Sequence, residues 1–142
     1  MTIKQNASAE WNGNLKEGSG TFALPKGSYE AAYTHASRFQ NSAGTNPEEL
    51  VGAAFASCFA MFLSATISKN NFTVNTINAV AEVSLEVGDG GPTITNITLN
   101  VTAAVEEITK EKFDDYVATS KANCPISKLF KGTELTVNAE LV

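Results

Sequence analysis

An uncharged stretch at residues 50–68 limits what this chain can fold into more than any other feature of the sequence. Leucine, valine, alanine, phenylalanine, methionine and isoleucine side chains occupy nearly every face that a helix would have there. A helix that is apolar on all faces is buried on all sides. The stretch therefore predicts a long central helix with other layers of the protein around it.

The residues just before this stretch predict where the helix begins. Asn46 is a good N-cap, Pro47 suits the first helical position, and the two glutamates that follow favour the positive end of the helix dipole. A membrane span is the alternative interpretation. The stretch is slightly shorter than the ~20 strongly apolar residues that a span usually requires, and it includes Gly52 and several hydroxyl side chains. We therefore expect a core helix and no membrane association.

Alternating apolar residues bounded by turn residues predict strands on both sides of this helix. The expected strands are residues 7–11, 21–24, 33–39, 74–86, 93–105 and 133–141, with a phase break near Asn96. A second helix capped by Thr109 is expected to break at Cys124, because the residue before a proline avoids helical angles. Residues 126–131 are expected to form one more turn. The order predicts one α+β domain over residues 1–142, with a mostly antiparallel sheet wrapped around the central helix.

The apolar helix also bears on the oligomeric state. A single sheet has one core-facing side and does not easily cover a helix that is apolar all round, so a partner chain is expected to supply the missing cover. The sequence therefore predicts an intertwined homodimer.

Charge and cysteine content exclude several classes of function. The formal net charge is −5 and lysines are not clustered, which disfavours binding to nucleic acids or to anionic membranes. No signal peptide is visible at the N-terminus, and two cysteines do not make the framework of a small secreted domain. We expect a cytoplasmic protein, in which any disulfide is transient and chemical.

Cys58 in the central helix and Cys124 at the helix break are the candidate reactive residues. Their spacing matches neither a Cys-x-x-Cys motif nor a zinc site, and with His35 as the only histidine no metal site is expected. Two interpretations remain open from the spacing alone. The cysteines are either inert buried hydrophobic residues or an attacking and a resolving thiol.

Arg38 and Glu48 are the charged residues that could assist such a thiol. Arg38 is the only arginine, and it is either a surface residue or a partly buried cation with a planar set of donors. Glu49 lies at the reach-back position of a capping box with Asn46, whereas Glu48 has no such structural role beyond favouring the helix dipole.

Helix geometry restricts how these groups can meet. Glu48 and Cys58 are ten residues apart on one helix, or ~15 Å along its axis. If Glu48 takes part at the Cys58 site, it is therefore expected to come from a second chain and to pair there with Arg38. The apolar surroundings of Cys58 favour the neutral thiol, so that a reactive Cys58 needs a nearby cation, for which Arg38 is the candidate.

Residues 44–54 (GTNPEELVGAA), 56–59 (ASCF) and 122–127 (ANCPIS) form three motifs around the start of the central helix and the two cysteines. These motifs resemble those of the OsmC/Ohr family, the osmotically inducible and organic-hydroperoxide-resistance proteins. Residues 9–13 (AEWNG) and 37–39 (SRF) are similar to the OsmC branch in particular.

This resemblance implies an intertwined homodimer and a peroxidase that reduces organic hydroperoxides. It implies that Cys58 is the peroxidatic cysteine, Cys124 the resolving cysteine, Glu48 the glutamate of the Asn-Pro-Glu motif and Arg38 the catalytic arginine. Electrons are expected from a dithiol reductant such as a lipoylated protein, with no bound cofactor. The apolar surroundings expected to favour bulky peroxides are Phe39, Phe55, Phe59 and Phe130.

Two alternatives to a peroxidase remain. One is a non-catalytic stress-response module that binds a small hydrophobic ligand in the dimer cleft. The other is a structural stress protein with inert cysteines.

Overall fold

The structure, a computed structural model, describes residues 1–142 and divides into two units, Met1–Glu49 and Leu50–Val142. The first unit contains the strands β1 (Ser8–Asn12), β2 (Ser19–Leu24) and β3 (Tyr29–Thr34), followed by the short helix α1 (His35–Phe39). The three strands form an antiparallel sheet in the order β1-β2-β3. The strands predicted at residues 7–11 and 21–24 are therefore confirmed.

The predicted strand at residues 33–39 is wrong, because β3 ends at Thr34 and α1 begins at His35. The Thr34 side chain accepts a hydrogen bond from the Ser37 backbone N–H at 3.0 Å, and the Ser37 hydroxyl accepts one from the Thr34 N–H at 2.9 Å. This reciprocal capping box starts a helix. Arg38 consequently lies in a helix and not at the end of a strand.

The central helix α2 spans Pro47–Ser68, as the apolar stretch predicted. The Asn46 side chain caps it by accepting a hydrogen bond from the Glu49 N–H at 2.8 Å. In a capping box the Glu49 side chain would bond the Asn46 backbone N–H. Here the Glu49 carboxylate instead accepts a hydrogen bond from the Thr45 hydroxyl at 2.7 Å.

The second unit adds a three-stranded sheet and two further helices. Its elements are β4 (Val74–Gly88), β5 (Gly91–Val105), α3 (Lys110–Asn123), α4 (Pro125–Leu129) and β6 (Glu134–Leu141). In the order β4-β5-β6, the first pair is antiparallel and the second is parallel. Ser84 pairs with Asn96 and Leu85 pairs with Ile94, so the register shifts between these two pairs. This shift explains the phase break predicted near Asn96. The α+β class is confirmed, with two small sheets in place of one.

The core of the second unit lies between α2, the second sheet and α3. One face of α2 contributes Phe55, Phe59, Leu63 and Ile67, all fully buried. They belong to one cluster with apolar residues of β5 and α3, which include Ile97, Leu99, Val101, Ala103, Phe113 and Val117.

The opposite face of α2 is exposed in the single chain. Residues 53, 54 and 57 are exposed there, and Met61 is 75% exposed. By length and composition α2 could also cross a membrane, a property that core helices of soluble proteins share. Its contacts with the second sheet and α3 are those of a core helix.

Candidate functional site

The second unit brings the two cysteines together although they are 66 residues apart in sequence. Cys58 lies in the middle of α2, and Cys124 lies between α3 and α4. Both are free thiols, and their sulfur atoms are 3.0 Å apart, within hydrogen-bond distance. Cys124 is fully buried, whereas Cys58 is partly exposed. This separation is short enough for a disulfide to form after a small movement.

Pro125 determines the position of Cys124. Proline prevents the preceding residue from continuing the helix, and Cys124 has φ −53° and ψ 129°. Its backbone remains fixed on both sides. The Cys124 N–H donates to the Ser120 carbonyl at 2.8 Å, and the Cys124 carbonyl accepts from the Lys128 N–H at 3.0 Å. The break thus turns the thiol toward α2 without loosening the backbone.

The surroundings of Cys58 oppose its ionisation. Burial raises the pKa of the Cys58 thiol, and the side-chain hydrogen bond with Cys124 raises it further, while a backbone hydrogen bond with Ile126 lowers it. The expectation that apolar surroundings favour the neutral thiol is confirmed. A reactive thiolate at this position requires an additional source of positive potential.

The first unit contains the second pair of candidate residues, Arg38 and Glu48. The Arg38 Nη2 donates to Glu48 Oε1 at 2.7 Å, and Nε lies 3.1 and 3.2 Å from the two carboxylate oxygens. The Glu48 side chain is 10% exposed and that of Arg38 is 31% exposed. The Arg38 guanidinium also lies 5.1 Å from the centre of the Phe39 ring. The guanidinium is therefore held on two sides.

The expectation that Glu48 reaches Arg38 from a second chain is wrong, since the pair forms within one chain. Arg38 lies on α1 and Glu48 in the first turn of α2. The Ser37 hydroxyl donates to the Thr45 carbonyl at 2.7 Å, which ties α1 to the segment just before α2. The short connection between the two helices thereby places the charges side by side.

A cavity of about 260 Å³ lies beside this ion pair in the first unit. Trp11 and Tyr33 form its aromatic wall, with ring centres 5.4 Å apart. Both residues pair with Gly20 in the sheet, and a side chain at Gly20 would collide with the Tyr33 ring. The full lining consists of Trp11, Leu15, Tyr33, Thr34, His35, Arg38 and Pro47.

The sequence does not reveal Trp11 and Tyr33 as residues beside Arg38, because their proximity depends on the strand register around Gly20. Among the phenylalanines expected to surround the site, Phe55 and Phe59 are fully buried in the core and do not line an open site. His35 lines the cavity and packs on Phe39, with ring centres 4.9 Å apart. No group of three or more histidine, cysteine, aspartate or glutamate side chains could hold a metal ion.

A family model described as OsmC-like protein matches residues 39–140. The chain is 40% identical to peroxiredoxin OsmC of Escherichia coli (strain K12) over 142 residues, which cover 99% of both chains.

Two solved structures have the same fold. A crystal structure of an OsmC-like protein from Mycoplasma pneumoniae superposes with a TM-score of 0.78 at 18% identity, covering 100% of this chain and 99% of that one. The organic hydroperoxide resistance protein OhrB of Bacillus subtilis superposes with a TM-score of 0.68 at 25% identity, covering 96% of this chain and 98% of that one.

Proposed function

Because this chain belongs to the OsmC-like protein family, we propose that it is a cysteine-based peroxidase that reduces organic hydroperoxides to alcohols. The observation that carries the proposal is the 3.0 Å separation of the Cys58 and Cys124 sulfur atoms. The names of two similar proteins, a peroxiredoxin and an organic hydroperoxide resistance protein, support this chemistry.

In the first step, the Cys58 thiolate attacks the outer oxygen of the hydroperoxide. The O–O bond breaks, the sulfur retains one oxygen as a sulfenic acid, and the other oxygen takes a proton and leaves as the alcohol. Cys58 is the attacking thiol in this scheme because it is partly exposed, whereas Cys124 is fully buried.

In the second step, the Cys124 sulfur attacks the Cys58 sulfur and water leaves. A disulfide requires the two sulfur atoms to approach about 1 Å closer than they are at rest. An external dithiol, such as a lipoyl group on another protein, then restores both thiols by exchange and becomes a disulfide itself.

We assign to Arg38 the role of the cation that stabilises the Cys58 thiolate, and to Glu48 the role of orienting Arg38. Glu48 occupies Nε and Nη2 of the guanidinium, which leaves N–H donors for a further anionic group. A charge-assisted pair with this geometry keeps the guanidinium in one orientation.

The cavity beside Arg38 is suited to the organic part of the substrate. A cavity of about 150 Å³ is known to hold benzene in another protein. The larger space beside Trp11 and Tyr33 accommodates a branched or phenyl-bearing substituent. We therefore propose that Trp11 and Tyr33 favour bulky organic hydroperoxides over hydrogen peroxide.

We further propose that the protein acts as a homodimer in the reducing cytoplasm. The exposed face of α2 around Met61 is apolar and uncharged. Such a face is complementary to itself, as a two-fold symmetric interface requires. Two cysteines do not make the disulfide framework of a small secreted domain, which supports a reducing compartment.

Single-cysteine variants test the proposed reaction. With cumene hydroperoxide and a dithiol reductant, Cys58→Ser should lose peroxide consumption completely. Cys124→Ser should release about one equivalent of alcohol per chain and then stop with Cys58 as sulfenic or sulfinic acid, because no resolving thiol remains. Full activity in Cys58→Ser would refute the proposal. Unchanged thiols in the wild-type protein, together with a retained hydrophobic compound in native mass spectra, would favour a non-catalytic binding module.

A further inference from the structure

Ser127 in α4 is a buried polar residue whose side chain has no partner. It is 6% exposed, and its hydroxyl makes no hydrogen bond. The other buried polar side chains are all bonded. Ser37 bonds to Thr34 and Thr45, Glu48 to Arg38, and Ser120 to the Tyr116 carbonyl. A buried hydroxyl without a partner destabilises the folded state, so its presence calls for an explanation.

The position of Ser127 connects it with the two sulfur atoms. It is three residues after Cys124, in the turn that starts at Pro125. The backbone of the residue before it, Ile126, lies close enough to the Cys58 thiol to lower its pKa. The turn is held by the bonds from the Lys128 N–H to the Cys124 carbonyl and from the Phe130 N–H to the Ile126 carbonyl. Ser127 therefore belongs to a hydrogen-bonded turn that begins at Cys124 and whose Ile126 backbone lies beside Cys58.

The proposed reaction creates a polar group that the resting protein lacks. After attack on the hydroperoxide, the Cys58 sulfur carries an oxygen, and this oxygen must leave as water when Cys124 attacks. A hydroxyl that has no partner at rest can donate to an oxygen that is present only during the catalytic cycle.

We propose that the Ser127 hydroxyl donates a hydrogen bond to the sulfenic oxygen on Cys58 and assists its departure as Cys124 forms the disulfide. This inference rests on the proposed function and extends it to the resolving step. The S–O bond of Cys58 breaks as the S–S bond forms. The departing oxygen takes the proton of the Cys124 thiol, and Ser127 keeps its own proton, so that the products are a disulfide and water.

Ser127→Ala tests the role of this hydroxyl in the purified full-length protein. With one equivalent of cumene hydroperoxide, alcohol release in the first turnover should stay within about twofold of wild type, because the hydroxyl acts after it. Disulfide formation should slow about 10- to 100-fold, the range expected for losing a hydrogen bond to a group that develops charge. Dimedone should trap more sulfenic acid, and excess peroxide should give more sulfinic acid, both measured by intact-mass spectrometry.

Two variants separate this role from a structural one. Ser127→Thr keeps the hydroxyl and should restore disulfide formation. Ser120→Ala removes a buried serine hydroxyl that is bonded to a carbonyl, so it should lower the melting temperature and leave the ratio of sulfenic acid to disulfide unchanged. Ser127→Ala should melt at or above the wild-type temperature, because it removes an unpartnered group.

Disulfide formation at the wild-type rate in Ser127→Ala would overturn the role of Ser127 and leave the peroxidase function intact. Equal slowing in Ser127→Ala and Ser127→Thr would overturn it as well, and so would a markedly lower melting temperature of Ser127→Ala. If the wild-type protein yields neither alcohol nor sulfenic acid, the proposed function fails, and the role of Ser127 fails with it.

Discussion

At the scale of single residues, the chemistry depends on how Cys58 becomes a thiolate. Its burial, its hydrogen bond with Cys124 and the charge interaction with Cys124 raise its pKa, and only the Ile126 backbone acts in the opposite direction. Arg38 is the strongest candidate for the missing positive charge, because Glu48 holds its guanidinium and leaves some of its donors free. Each of these influences can be removed separately.

Removing Cys124 should shift the ionisation of Cys58 toward lower pH. Two of the causes that raise its pKa, the side-chain hydrogen bond and the charge interaction, both come from Cys124. In Cys124→Ala the thiolate therefore forms at lower pH than in the wild type. The pH dependence of iodoacetamide alkylation at Cys58, followed by peptide mass spectrometry, should move to lower pH. A midpoint that stays in place or moves upward would contradict this assignment.

Replacing Arg38 with lysine should reduce peroxidase activity strongly. Lysine keeps the charge but cannot pair with both Glu48 oxygens through two parallel donors. A cation that is misplaced by about 1 Å can cost roughly 100-fold in rate, so we expect a loss of that order in kcat/KM for cumene hydroperoxide. Lys26→Arg, a change at an exposed lysine, serves as the control. Activity within about threefold of wild type in Arg38→Lys would argue against a role that depends on the paired hydrogen bonds of Arg38 with Glu48.

At the scale of elements, the short helix α1 determines where Arg38 lies. Five residues are too few for a stable isolated helix, so α1 depends on its cap and its tertiary contacts. The Ser37 hydroxyl supplies both, since it bonds to the Thr34 backbone and to the Thr45 carbonyl. The ion pair with Glu48 therefore depends on a serine that contacts neither charge.

Ser37→Ala should destabilise the protein and lower its activity. The variant loses the hydrogen bonds of a buried cap, which costs about 1–2 kcal/mol in the free energy of unfolding. We expect a smaller loss of activity than in Arg38→Lys, because the guanidinium remains present but is less well placed. Urea unfolding and peroxide consumption would measure the two effects. Ser42→Ala, at an exposed serine, should change neither, and equal effects in both variants would contradict the role of Ser37.

The sequence predicts the elements best where one pattern dominates. The apolar run and the Asn-Pro-Glu-Glu start predict α2, and Pro125 predicts the break at Cys124. The capping box at Thr34 falls within a segment rich in strand-forming residues, so α1 is hidden from periodicity. The parallel pairing of β5 with β6 and the Trp11–Tyr33 wall depend on strand register, which local patterns do not contain.

In the candidate site, too, some residues can be recognised from the sequence and others only from the structure. Cys58, Cys124, Arg38 and Glu48 stand out in the sequence by rarity, by position and by resemblance to a family. The unpartnered Ser127 hydroxyl does not, because serine is common and its lack of a partner is visible only in three dimensions.

At the scale of the whole molecule, the exposed apolar face of α2 is the feature that a single chain leaves unexplained. Ten residues separate Glu48 from Cys58 on this helix, or ~15 Å along its axis. We therefore continue to propose a homodimer in which the Arg38–Glu48 pair of one chain serves the Cys58 of its partner.

Met61→Glu should disrupt this homodimer. A buried, unpaired carboxylate in an apolar interface is strongly unfavourable, and Met61 is 75% exposed in the single chain. Light scattering at micromolar concentration should give a dimer for the wild type and a smaller species for the variant. Val80→Glu, at a strand residue that is 66% exposed, should leave the dimer intact. A stable wild-type monomer would contradict the proposed assembly.

The reaction of the two thiols with one equivalent of cumene hydroperoxide tests the central proposal most directly. Free-thiol titration and intact-mass spectrometry before and after the reaction, together with quantitation of the alcohol, would follow both partners. We predict that both thiols disappear, that the chain loses two hydrogen atoms as Cys58 and Cys124 form a disulfide, and that one alcohol is released per chain. If both cysteines remain titratable and the peroxide is not consumed, the proposed function is wrong.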